Sequence, residues 1–320
     1  MINAFELFHP IINFYYFIVV ISFSMFFMHP IFLLISLLTA FIYSVMLNGK
    51  RAVKFNILYM IPILIVTSII NPAFSHKGVT ILTYFKNGNP MTLESIVYGL
   101  CSAIMFVSVI LWFSCYNAII SSDKFIYLFG KIIPSLSLII SMVLRFVPRY
   151  KTQIKIISNA QRCIGRDITN GSILQKARNG IKILSIMTTW ALENGIETAD
   201  SMKSRGYGLK GRTSFSNFRF DKRDKIVFIT MTVFTGVLIA GALNNENNIV
   251  FFPMIKIKEI SIFSILVYIS FTGLCLTPVI IEVIEIIKWS KIEKYRSSIE
   301  YTCIYSINNY WKVKNKTLDI

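Results

Sequence analysis

Residues 145 to 213 read RFVPRYKTQIKIISNAQRCIGRDITNGSILQKARNGIKILSIMTTWALENGIETADSMKSRGYGLKGRT, a long basic interruption in an otherwise apolar chain. Two helices are predicted in it. The first runs from about Pro148, whose fixed φ suits a first helical turn, to Gly165, with Tyr150, Ile154, Ile157, Gln161 and Ile164 on one face. Asn170 or Ser172 can cap the second, whose apolar stripe is Ile173, Ala177, Ile181, Leu184, Met187, Ala191, Gly195, Ala199 and Met202. At 1.5 Å per residue, residues 172 to 205 span roughly 50 Å, more than a hydrocarbon core of roughly 30 Å. The window 176 to 195 holds Lys176, Arg178, Lys182 and Glu193. Each charge costs about 2.5 to 3.5 kcal/mol at the centre of a membrane helix, so insertion is opposed by roughly 10 kcal/mol. The pair is expected outside the bilayer, as a lever, a docking surface or a solvated connector between two membrane halves.

The surroundings are membrane sequence. The chain has 320 residues, of which 54% are hydrophobic, and a mean hydropathy of +0.61, which fits a polytopic membrane protein and not a soluble globule. The formal charge of +17 raises nucleic acid as a partner, but 18 of the 33 Lys and Arg fall between Lys124 and Arg223. That clustering matches the positive-inside pattern, with anionic headgroups or acidic protein surfaces as partners. Cysteines at 101, 115, 163, 275 and 303 show no metal-ligand spacing and read as ordinary thiols. His76 lacks companion ligands, so no metal site is expected.

Six charge-free apolar runs, at about 11 to 28, 31 to 47, 55 to 71, 96 to 120, 226 to 243 and 260 to 281, each approach the length of a membrane-spanning helix. Lys50, Arg51 and Lys54 place the second loop inside, and both termini are then expected to be cytoplasmic. The loop from Asn71 to Glu94 falls outside; Pro90 breaks the chain, Thr92 can cap, and Glu94 suits the positive end of the following helix. Within the run Ile126 to Leu144, the uninterrupted part from Ile132 to Leu144, holding Pro134 and flanked by Lys131 and Arg145, is only 13 residues, short for a crossing, and reads as an in-plane or buried helix. The tail from Ser290 to Ile320 mixes lysines with tyrosines and suits either a membrane-surface segment or a disordered basic end. The expected organisation is membrane helices one to four over 1 to 125, a cytoplasmic helical region over 126 to 224, helices five and six over 225 to 289, and a basic tail over 290 to 320.

The helix ends carry a resemblance. Ser201-Met202-Lys203-Ser204-Arg205-Gly206-Tyr207, followed by Gly211-Arg212-Thr213, resembles the Ala-Arg-Gly signature of the transmembrane T component of energy-coupling factor (ECF) transporters. Upstream, Arg145-Phe146-Val147-Pro148 and Ala160-Gln161-Arg162-Cys163-Ile164-Gly165 look like the start and end of that family's preceding coupling helix, and Asn71-Pro72, His76-Lys77-Gly78 and Pro90-Met91-Thr92-Leu93-Glu94 resemble elements of its outer loop. The resemblance covers roughly residues 45 to 245. Two departures stand out: Ser204 replaces the alanine of the second signature, and Cys163 and Ile164 replace the alanine and arginine of the first. Arg162 and Arg166 are the candidates for the missing cation, each two residues from the expected position, and even one helical step points a side chain about 100° away.

The resemblance implies an all-α polytopic membrane protein with about six transmembrane helices and long amphipathic cytoplasmic coupling helices, in the plasma membrane of a bacterium or archaeon. It implies a complex with two ABC-type ATPase subunits and a small membrane-embedded S component that binds a vitamin or metal ion. The ATPase interface would comprise Ala160, Gln161, Arg162, Gly165, Arg166, Ser204, Arg205 and Gly206, with Arg145 and Pro148 at the start of the first coupling helix. The residues agree with a non-catalytic part: no Gly-x-x-x-x-Gly-Lys-Ser/Thr loop is present, so ATP would be used by the partners and no cofactor is expected on this chain. No acid or histidine sits mid-span to carry protons or sodium, and no nucleophile with a base is evident. The competing readings are a self-contained membrane transporter and a membrane-anchored scaffold.

Overall fold

The computed structural model describes residues 3–75, 77–84, 90–130, 133–209, 218–244, 248–257 and 261–316. His76 and Gly211-Arg212-Thr213, singled out in the sequence, lie outside the described residues. Helices dominate, and the chain forms two compact units: residues 1–121 with 220–320, and residues 122–219.

In the first unit, α1 (Pro10–Phe26) and α2 (Pro30–Asn48) each begin with a proline behind a histidine cap. The Nδ1 atoms of His9 and His29 accept from the backbone N–H of Ile11 and Ile31, taking up amides that the helices leave without partners. α3 (Lys50–Phe55) passes through a π-helical turn, Asn56–Met60, into α4 (Ile61–Phe74). The turn ends just before Pro62, which has no N–H to offer the preceding turn. α5 (Leu93–Ile119), α9 (Lys222–Leu243) and α10 (Ile262–Lys316) complete the unit.

Among the described residues, five helices are long and apolar enough to cross a membrane: Pro30–Asn48, Ala52–Phe74, Leu93–Ile119, Lys222–Leu243 and Ile262–Glu293. Pro10–Phe26 is a shorter apolar helix of 17 residues. The chain is therefore an all-α, polytopic membrane protein. Its core holds Tyr16, Phe32, Trp112, Met231 and Phe271, with polar groups paired inside it. Trp112 Nε1 donates to Ser36 Oγ at 2.9 Å, Ser36 Oγ lies 2.7 Å from Ser24 Oγ, and the Tyr16 hydroxyl donates to the Cys275 carbonyl at 3.0 Å. Such pairing is what an apolar interior demands of a buried polar atom.

The loop between α4 and α5 carries a small hairpin, β1 (Ile81–Tyr84) against β2 (Pro90–Thr92), paired antiparallel. A second two-stranded ribbon, β3 (Ile249–Val250) with β4 (Lys256–Ile257), follows α9. Thr92 caps α5 as expected, accepting from Ser95 N–H at 3.4 Å, while its hydroxyl donates to the Lys77 carbonyl at 2.8 Å. Glu94 has a further role: its carboxylate accepts from the Thr80 N–H and the Thr80 hydroxyl, tying the loop to the helix start. Beneath this knot α5 runs close to α4, because a Cβ on Gly99 would lie 2.8 Å from the Ser68 carbonyl oxygen.

The second unit comprises α6 (Ser122–Gly130), α7 (Pro134–Cys163) and α8 (Ile173–Ser204). Here the structure corrects the sequence reading. Pro134, not Pro148, opens the helix, and the apolar run before Arg145 joins the basic run after it in one 30-residue element. Pro148 sits inside α7, where it cannot donate to the Leu144 carbonyl, and the helix continues through that one lost bond. The tail, for which a surface segment or a disordered end was expected, is helical as far as Lys316 as a continuation of α10.

Candidate functional site

α8 starts and stops where its chemistry dictates. Ser172 Oγ accepts from Gln175 N–H at 3.4 Å and Gln175 Oε1 accepts from Ser172 N–H at 3.2 Å, a reciprocal capping box. At the far end, Gly206 at φ +77° donates to the Lys203 carbonyl at 2.9 Å and Tyr207 donates to Met202 at 3.0 Å. This crossed pair is a Schellman cap, which needs a residue at positive φ and favours glycine there. α7 ends the same way. Gly165, at φ +78°, donates to Arg162 at 3.0 Å, and Arg166 donates to Gln161 at 2.9 Å.

The two ends can therefore be superposed position by position. Cys163 corresponds to Ser204, Ile164 to Arg205 and Gly165 to Gly206, the alignment that the sequence signatures suggest. Ile164 and Arg205 are both C-cap residues, and Ala160, Arg162, Ser204 and Arg205 are exposed. Gln161 is half-buried, and its Oε1 has no hydrogen-bond partner among the described residues.

The linker engages one of the neighbouring arginines. Asp167 accepts from the Thr169 hydroxyl at 2.6 Å, the Thr169 N–H at 2.9 Å and Asn170 Nδ2 at 3.0 Å, and lies 3.6 Å from Arg162 Nε. Its carboxyl is held below the usual range, chiefly by the Thr169 hydroxyl and in smaller part by the Arg162 charge. Arg162 is thus turned back onto its own linker. Arg166 sits two positions beyond the C-cap, with an exposed side chain.

α7 and α8 run antiparallel. Ile157 packs with Ile183 and Met187, and Tyr150 meets Trp190 edge to face at 5.5 Å. The same Trp190 ring lies 5.5 Å under the Arg149 guanidinium. Arg145 and Pro148 come together with Arg205 in a cleft at the α8 C-terminal end, whereas Gly165 and Arg166 lie at the opposite end of the hairpin. From Ile173 to Ser204 the rise along α8 is roughly 47 Å, so the two tips are separated by about that length.

The buried side of α8 differs from the stripe read in the sequence. Ile183, Met187, Trp190 and Asn194 face α7, and of the nine stripe residues only Met187 is fully buried. Ile181, Leu184, Leu192 and Ile196 fall on the other side of the helix at 100° per residue, each about two-thirds exposed. α8 therefore has two apolar faces, one covered by α7. Among the described residues no group of three His, Cys, Asp or Glu is gathered as a metal site.

No family model matches the chain. It is similar to the "Energy-coupling factor transporter transmembrane protein EcfT" of Lactococcus lactis subsp. cremoris, at 32% identity over 105 residues, which cover 32% of this chain and 40% of that protein. The protein of the same name from Lactobacillus helveticus is 33% identical over 108 residues, covering 33% of this chain and 39% of the relative. A third, from Brevibacillus brevis, is 33% identical over 113 residues, or 34% and 43% of the two chains. The matched stretch spans about two-fifths of the length of these relatives. Over about a third of its length, then, this polytopic membrane chain is similar to the transmembrane proteins of energy-coupling factor transporters.

Proposed function

We propose that the chain is the coupling subunit of an ECF-type importer, passing the motion of separate ATPase subunits to a small substrate-binding membrane partner for uptake of a vitamin or metal ion. The observation that carries this reading is the pair of identically capped helix tips at opposite ends of one antiparallel hairpin. Two separated tips suit two ATPase subunits, each taking one tip. Arg205 puts a cation at a helix C-terminus, where the dipole favours it, and its guanidinium can engage a carboxylate with two parallel hydrogen bonds. Gly206 supplies the turn and a tip with no side chain of its own to obstruct close approach. The uncovered face of Ile181, Leu184, Leu192 and Ile196 is apolar surface for the substrate-binding partner.

On this reading the tips and both chain termini are cytoplasmic, and the α4–α5 loop faces outward. The first unit anchors the hairpin and undergoes no chemistry; ATP is bound and hydrolysed by the partners. The test is affinity purification of the tagged chain from native membranes, with mass spectrometry of what comes with it. Two ABC-type ATPases and a small membrane protein are expected. Recovery of the chain alone, with uptake intact when the ATPase genes are deleted, would favour a self-contained transporter.

A further inference from the structure

The cleft at the α8 C-terminal end of the hairpin has a volume of about 580 Å³, within the range of roughly 300 to 1,000 Å³ typical of small-ligand sites and larger than an inorganic ion requires. Three guanidiniums line it, Arg145 and Arg149 from α7 and Arg205 from α8, against the single carboxylate of Glu197. Arg149 is held over the Trp190 ring, so its guanidinium is positioned before any ligand arrives. A second observation points into the same space. Asn194 lines the cleft, is only 5% exposed, and its Nδ2 has no hydrogen-bond partner among the described residues. A buried amide donor without an acceptor is costly, and an anion in the cleft would satisfy it.

The rest of the lining narrows the class of anion. Met142 and Phe146 provide apolar surface directly beside Arg145 and Arg149. On α7 the cleft also marks a change of solvent: the stretch from Pro134 to Leu144 is uncharged and leaves Ile139, Val143 and Leu144 exposed, while the stretch from Arg145 onward is basic. A helix that is apolar, then basic, places its junction at the level of lipid headgroups. We propose that the cleft binds the phosphate of an acidic phospholipid, with Arg145, Arg149 and Asn194 Nδ2 on the headgroup and Met142 and Phe146 against its glycerol and first acyl carbons. A soluble phosphate shares the first half of that chemistry and lacks the second.

This site needs no ATPase, so it stands or falls separately from the docking of Arg205. The full-length chain, purified in a neutral detergent, is offered equal amounts of dioleoyl phosphatidylglycerol and dioleoyl phosphatidylcholine, and native mass spectrometry counts the lipids retained. Phosphatidylglycerol is expected to be preferred about tenfold, from two arginines at a headgroup. Arg149→Gln removes most of that preference, and Asn194→Leu, which deletes a neutral donor to the phosphate that both lipids carry, lowers the retention of both. Glu197→Gln, which deletes the one acid lining the cleft, raises it, a gain that misfolding cannot produce. Equal retention of the two lipids, or a preference unmoved by both Arg149→Gln and Glu197→Gln, would overturn the proposal. Displacement of the bound lipid by millimolar inorganic phosphate would overturn it too, assigning the cleft to a soluble anion.

Discussion

Ile164 and Arg205 hold the same position in two helices that end with the same pair of crossed hydrogen bonds. One tip therefore presents a guanidinium where the other presents an aliphatic side chain that is exposed to solvent. Arg162 stands two positions before Ile164 and lies 3.6 Å from Asp167 on the linker. Ile164→Arg is expected to make the tips alike. If both dock ATPases, the variant holds them through a salt wash that strips the wild type, with an affinity gain of about tenfold to a hundredfold from one charge-assisted contact of about 1.5 to 3 kcal/mol. Equal elution at every salt concentration would mean that the first tip has no acidic partner.

Asp167 gives the linker between the tips a defined pH response. Its folded pKa is depressed, chiefly by the Thr169 hydroxyl, so the ionised form is the one that folding favours. The resulting stability is complete above the unfolded carboxyl pKa, about 3.9, and is lost as pH falls through the lower folded value. Amide exchange, corrected for its intrinsic pH dependence, should show the Thr169 N–H equally protected at pH 7 and pH 5, with protection falling only below about pH 4. Asp167→Asn should exchange faster at every pH and lose that step. A step near pH 6 in the wild type would contradict the assignment to this carboxylate.

Two glycines should respond in opposite directions to the same substitution. A methyl group at Gly99 would sit 2.8 Å from the Ser68 carbonyl, so Gly99→Ala must push α4 and α5 apart and should destabilise by about 1 to 3 kcal/mol. A methyl group at Gly195 in α8 would meet nothing within 4 Å, so Gly195→Ala should gain helix propensity, stabilising α8 by up to about 1 kcal/mol. Thermal unfolding in detergent checks both, with a lowered midpoint for the first and an unchanged or raised one for the second. A raised midpoint for Gly99→Ala would show that the two helices are less closely packed than their spacing implies.

Where a segment had only one good solution, the sequence revealed it. Ser172, beside Asn170, could be read as a helix start, Arg205-Gly206 as a helix end, and the charge-free runs as apolar helices, five of them long enough to cross a membrane among the described residues, because each rests on local chemistry. The start of α7 was not legible in that way. Pro134 and Pro148 both suit a first turn, and the change from apolar to basic at Arg145 suggested two elements; continuity through Pro148 costs one hydrogen bond, which the rest of a 30-residue helix outweighs. The covered face of α8 was hidden because Ile181 and Leu184 are as apolar as Ile183 and Met187. Only the placement of Tyr150 and Ile157 on α7 chooses between them. The contact between Thr80 and Glu94 was likewise invisible, since it joins residues that only the hairpin brings together.

The most direct test of the coupling reading is the amount of ATPase that co-purifies with the tagged chain when Arg205 is changed to Glu. Membrane insertion should be unaffected, because Arg205 lies at an exposed helix end outside the apolar spans. The variant should lose most of its ATPase, at least tenfold, since a lost charge-assisted contact of about 1.5 to 3 kcal/mol is joined by repulsion. ATPase recovered at the wild-type ratio, with uptake unchanged, would contradict the account.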